Sequence, residues 1–205
     1  MGRSLQLFRA PFIELTLYDN NKKGLAALYN AAISHAADDP AILIFVHDDV
    51  HLCDFFWPWR IAHGLRAFDI IGVAGNTRRV PGQPAWCFLD TNYTWDSAEH
   101  LSGSVAHGHG FPPTDLSHFG PSGRAVSLLD GVLLAAHSKT LLERHVYFDE
   151  SFEFHFYDMD FCRRAEAQQL RMGTCTLSII HESPGAFGSP AWLEGYRRYL
   201  DKWKS

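Results

Sequence analysis

The stretch "AILIFVHDDVHL", residues 41 to 52, restricts the fold more than any other part of the chain. Ile42 to Val46 form an unbroken apolar run that stops at His47, Asp48, Asp49 and, one residue on, His51. A short apolar run rich in branched residues suits a strand covered on both faces, which is the usual strand of a parallel sheet. Ionisable side chains at its carboxyl end then fall where open α/β sheets bind their ligands.

The neighbouring segments extend this expectation. "FIELTLYDN" (12–20) alternates and ends in turn formers, which predicts a strand leading to a loop. From Lys22 to Ala36 the residues Leu25, Leu28, Tyr29, Ala32 and Ile33 recur at helical spacing, with Asn21 as the candidate N-cap. "DFFWPWRIAHGLRAF" (54–68) is expected to be helical after Pro58, and "DIIGVAG" (69–75) to be another apolar strand. The order β-α-β-α-β predicts a mostly parallel, right-handed α/β sheet flanked by helices. A segment without clear elements follows, from Asn76 to about Gly123, whose many aromatic residues argue against disorder. Beyond it the pattern predicts a strand, or a strand pair, over 125–137 with a break at Asp130-Gly131. Helices over 138–144 and 158–170, a last strand in "TCTLSII" and an amphipathic C-terminal helix complete the pattern.

Composition sets the limits of this picture. A chain of 205 residues with 46% hydrophobic content supports one buried core and is a little short for two, so a single domain over 1–205 is expected. The net charge of -5 comes from interspersed charges without a basic block, so nucleic acid is not an expected partner. The four cysteines form no C-x-x-C pair and suit buried free thiols of a reducing compartment. "MGRSLQ" lacks the apolar core of a signal peptide, and no apolar run is long enough to span a bilayer. A cytoplasmic chain without a transmembrane segment is the expectation.

Three groups of residues carry candidate chemistry. His47, Asp48 and Asp49 offer two carboxylates and an imidazole, a set that suits a divalent cation such as Mg²⁺ or Mn²⁺; the same aspartates also suit the cap of a following helix. "YFDESFEFHFYDMDFCRRA" (147–165) sets acidic residues among aromatic ones just ahead of a helix. Desolvation there would raise a carboxyl toward the range useful for a general base, while Asp158 as a cap and Asp160 in the first turn give a purely structural account. His181 follows the strand "TCTLSII" and repeats the placement of His47.

The ordered series "YNAAI", "ILIFVHDDVHL", "DIIGVAGN", "LDGVLLAAHS", "FDESFEFHFYDMDFCRRA" and "LSIIHES" resembles the family-2-like glycosyltransferases of the GT-A fold, in the small branch with H-x-D-V in place of D-x-D. It spans most of the chain, from about Asp19 to His181. The resemblance implies a Rossmann-related, GT-A-like sheet and a sugar moved from a nucleotide diphosphate donor to a saccharide or other hydroxyl acceptor, with inversion. It implies that His47, Asp49 and His181 serve a Mn²⁺ or Mg²⁺ ion, and that Asp48 lies in the metal and diphosphate stretch. "YDMD" matches the family's E-D-x-D, which makes Asp158 the catalytic base. Asp130 and Gly131 match the segment lining the donor-sugar pocket, and Asp19 matches an acid near the nucleotide. The aromatic segment containing Trp86 and Trp95 would then serve the acceptor. Two departures stand out. Members of that family begin with a further strand and helix that help hold the base, ahead of where this chain starts, and Tyr157 replaces the family's glutamate. A non-catalytic module that keeps the sugar-nucleotide or partner-binding pocket is the alternative expectation.

Overall fold

The computed structural model describes residues 12–18, 21–183 and 185–204. Its elements in chain order are α1 (Leu25–His35), β1 (Ile42–Val46), β2 (Val50–Leu52), α2 (Trp57–Ala67), β3 (Ile70–Gly72), β4 (Ala74–Asn76), β5 (Leu101–His107) and β6 (Asp115–Gly120). They continue with β7 (Ala125–Val126), β8 (Leu128–Leu129), β9 (Leu133–His137), α3 (Ser138–Glu143), α4 (Tyr157–Ala167), β10 (Met172–Thr174), β11 (Ile179–His181) and α5 (Pro190–Trp203). One sheet has the order β1-β9-β3-β10-β7, and a second has β2-β11-β5-β4-β8 with β6 on the other edge of β5.

This architecture corrects the expected GT-A-like, mostly parallel sheet flanked by helices. Among the described residues only β3 with β10 and β5 with β11 pair in parallel, and the remaining ladders are antiparallel. The segments "AILIFV" and "DIIGVAG" are not neighbours, because β9 runs antiparallel between β1 and β3. The physical reason is that a continuous apolar run records burial and carries no information about a partner's direction. Here β9 supplies buried Leu133, Leu134, Ala135 and Ala136, while β1 at the sheet edge fully buries only Phe45.

Three further expectations change. The strand foreseen over 12–20 is not formed by Phe12 to Tyr18, and Asp19 and Asn20 lie outside the described residues. "DIIGVAG" splits at Val73, where the chain leaves the first sheet as β3 and enters the second as β4. The segment 76–123 holds β5 and β6, an antiparallel pair that the sequence pattern hid. β5 reads "LSGSVAH", poor in branched residues, because it must lie against the crossover: a Cβ at Gly103 would sit 2.0 Å from the Val73 carbonyl oxygen, and its φ is +104°.

The helical expectations over 54–68, 138–144 and 158–170 and at the C-terminus hold within a few residues. Helix α1 begins later than foreseen, with Gly24 at the N-cap, while the Asn21 side chain accepts from Lys23 N at 2.8 Å. One apolar cluster runs through both sheets, from Ile33 and Phe45 to Leu128, Phe161 and Ile179. Helix α5 is held by Asp160 of α4, which is fully buried and accepts from Lys202 Nζ at 2.6 Å and Trp203 Nε1 at 2.8 Å. No helix among the described residues is long and apolar enough to cross a membrane.

Candidate metal and acid-base site

Two ladders bring the candidate side chains together. At the end of β1, His47 N donates to Val132 O at 3.2 Å, which sets His47 beside the Asp130–Val132 link that leads into β9. In the second sheet β2 pairs with β11, so His181 lies opposite Val50, and Glu182 N donates to Asp49 O at 3.1 Å. The turn from β1 to β2 therefore carries His47 and Asp49 to the end of β11.

His47, Asp49 and His181 each offer a ligand atom, all within 4.8 Å of one another. Asp49 Oδ1 lies 3.2 Å from His181 Nε2, yet it is buried and makes no hydrogen bond. A buried carboxylate oxygen without a hydrogen-bond partner is costly, and a cation would satisfy it. Burial pushes both His47 and His181 below the ordinary histidine range, so each ring is neutral and keeps a lone pair. Burial acts to raise the Asp49 carboxyl, but Ser183 and the two histidines outweigh it and hold it below the usual range. Asp48, by contrast, is exposed in the turn. Neither Asp48 nor Asp49 caps a helix: α2 starts at Trp57, and Asp54 accepts from Phe56 N at 2.8 Å.

Beside the triad stands a second pair of carboxylates. Burial pushes Asp130 up to about 7, with the charge of Asp158 adding to it, while Val132 N and the Trp86 indole oppose. Burial also raises Asp158, against hydrogen bonds from Met159 N at 2.8 Å and Gly131 N at 3.1 Å. Asp158 is not the cap of α4, because Phe156 holds that position with φ +66° and no side chain bonds the first turn as a cap. Both carboxyls are thus held above the usual aspartate range, and the charge of Asp158 opposes ionisation of Asp130.

Tyr157 joins the two groups. Its hydroxyl donates to Gly131 O at 2.9 Å and lies 2.8 Å from His47 Nε2. A side chain at Gly131 would collide with this hydroxyl, since a Cβ there would sit 2.3 Å from Tyr157 Oη. The sequence presents Tyr157 as a departure from the family and as an aromatic neighbour of Asp158; nothing local signals that the first residue of α4 faces the end of β1. Ser183 carries no such signal either, and Phe154, expected beside Asp158 as one of the desolvating aromatics, is an exposed ring stacked on His47 with centroids 6.1 Å apart.

The two tryptophans part company. Trp86 is buried and holds Asp130, so it presents no face to solvent. Trp95 stays 53% exposed and stacks on Phe119 at 5.8 Å, with Phe88 edge-on at 4.9 Å. Asp19, the expected nucleotide-side acid, lies outside the described residues. Comparison with known proteins returns no matching family model and no matching curated relative.

Proposed function

We propose that this chain is a metal-dependent glycosyltransferase that moves a sugar from a nucleotide diphosphate donor to an acceptor hydroxyl, with inversion. The observation that carries the reading is the linkage of His47, Asp49 and His181 to the Asp130–Asp158 carboxylates through Tyr157 and Gly131. Two imidazoles and one carboxylate fit Mn²⁺ better than Mg²⁺, which prefers oxygen ligands. When bound, the ion supplies positive charge to the departing diphosphate. Asp158 accepts the proton of the attacking hydroxyl, and its raised carboxyl makes it a stronger base than a solvated aspartate. Asp130 retains its own proton until near neutrality and so limits the negative charge beside the leaving group. The resemblance puts Trp95 on the acceptor side, where its exposed face would offer flat apolar surface, and Asp48 in the diphosphate stretch, where it is exposed. The ordered motif resemblance supplies the reaction class; the site supplies the groups that the reaction needs.

A second reading comes from the donor set itself. Two histidines and one carboxylate also make the facial triad of non-haem iron oxygenases. The paired carboxylates favour transfer, because proton abstraction uses them and oxygen activation does not. Transfer and donor hydrolysis are measured with a panel of nucleotide sugars and Mn²⁺. Asp158→Asn is expected to lower transfer by about 10²- to 10⁴-fold with donor and metal binding unchanged. Asp160→Asn, the control, loses stability and keeps its turnover per folded molecule. Binding of donor without turnover in the wild type would make the chain a binding module, and Fe²⁺-dependent oxygen consumption would select the oxygenase.

A further inference from the structure

Histidine at 47 and tyrosine at 157, the second a departure from the resembled family, meet in the fold, with Tyr157 Oη 2.8 Å from His47 Nε2. The hydroxyl has one proton, and Gly131 O, a carbonyl that can only accept, takes it at 2.9 Å. With that proton given to Gly131 O and not to the Tyr29 hydroxyl, which also meets Tyr157, the hydroxyl oxygen is the acceptor at His47. The proton of the neutral ring then sits on Nε2, which leaves the lone pair on Nδ1. Tyr157 is 3% exposed and packs against the rings of Tyr29 and Phe148, with centroids at 5.9 Å and 6.0 Å, so the arrangement is held by packing.

We infer that Tyr157 is the positioning residue of the metal centre, selecting the Nε2–H tautomer of His47 so that Nδ1 is the ligand atom. The inference rests on the metal site proposed above and names its outer support. Metal-binding histidines donate their second ring N–H to a fixed acceptor, and that acceptor sets ring orientation. A phenol serves here because it passes its own proton on to Gly131. Glycine at 131 is part of the device, since a Cβ would displace the phenol oxygen.

The test uses the full chain. In the metal-free wild type, long-range ¹H–¹⁵N correlation spectra are expected to show His47 protonated on Nε2; protonation on Nδ1 overturns the inference. Calorimetry with Mn²⁺ is expected to show Tyr157→Phe binding about 10- to 100-fold more weakly than wild type. Near-UV dichroism checks that its aromatic core is retained. With Co²⁺ as probe, the visible spectrum of Tyr157→Phe should differ from that of the wild type, which a loss of stability alone would not produce. Equal Mn²⁺ affinity and equal Co²⁺ spectra in the two proteins sink the positioning role and leave the metal site standing. Wild type that binds neither ion sinks the metal site itself, and Nε2 protonation would then survive only as a tautomer assignment.

Discussion

At the residue scale the strongest consequence of the fold is the carboxyl of Asp130, pushed up to about 7 by burial and by Asp158. Its folded value lies above its unfolded value, so its contribution to stability is complete below about pH 4 and is lost as pH rises through about 7. A shift of about three units corresponds to at most about 4 kcal/mol, part of it shared with Asp158. Urea unfolding from pH 4 to pH 8 is expected to show the wild type losing stability relative to Asp130→Asn up to about pH 7 and running parallel above it. Parallel curves over the whole range would place Asp130 in a solvated setting. Gly131→Ala tests the neighbouring residue. The added Cβ meets Tyr157 Oη and Asp158 Cβ at 2.3 Å and 3.0 Å, so a loss of about 1–3 kcal/mol with weakened Mn²⁺ binding is expected by thermal melts and calorimetry.

At the scale of elements, α5 is attached by a few polar contacts laid over an aromatic seam. Phe156 packs against Trp192, Tyr196 and Tyr199, and Lys202 bridges Asp149 and Asp160 at 2.6 Å each. Asp160 is fully buried, so removing Lys202 leaves its charge with the Trp203 indole as the remaining hydrogen-bond donor. Lys202→Ala is expected to cost about 3 kcal/mol, the low end for breaking a buried pair, because Lys202 itself keeps contact with water. Hydrogen exchange gives the sharper readout. Protection should fall over 190–203 while the β1–β9 and β3–β9 ladders keep theirs, whereas an even loss along the chain would mean that α5 is not a separable element. This helix was legible in the sequence because its Ser189 cap, Pro190 and apolar spacing are all local signals, and the side chain of Ser189 does accept from Trp192 N at 3.2 Å.

For the whole molecule, the decisive place is the crossover at Val73, where one chain segment serves two sheets. β5 lies directly against it at Gly103, and a Cβ there would meet backbone at 2.0 Å while also needing φ +104°. Gly103→Ala is expected to cost more than about 3 kcal/mol and to broaden the unfolding transition, measured by urea denaturation, because neither the carbonyl nor the strand can move without opening a sheet. What the sequence determined by itself is what short-range periodicity can encode: the strand at 42–46, the helices at 57–67, 157–167 and 190–203, the break after Leu129, and the placing of His47, Asp49 and His181 at strand ends. The tertiary structure alone decided strand direction and neighbours, since β1 finds β9 and β2 finds β11 only through residues far along the chain. It alone decided that His47 and Asp49 meet His181 within 4.8 Å, that Trp86 turns inward to Asp130, and that Tyr157 reaches His47. The reason is physical: propensity and amphipathic pattern act over a few residues, whereas ladders and buried polar contacts gain their energy from partners whose identity no local window contains.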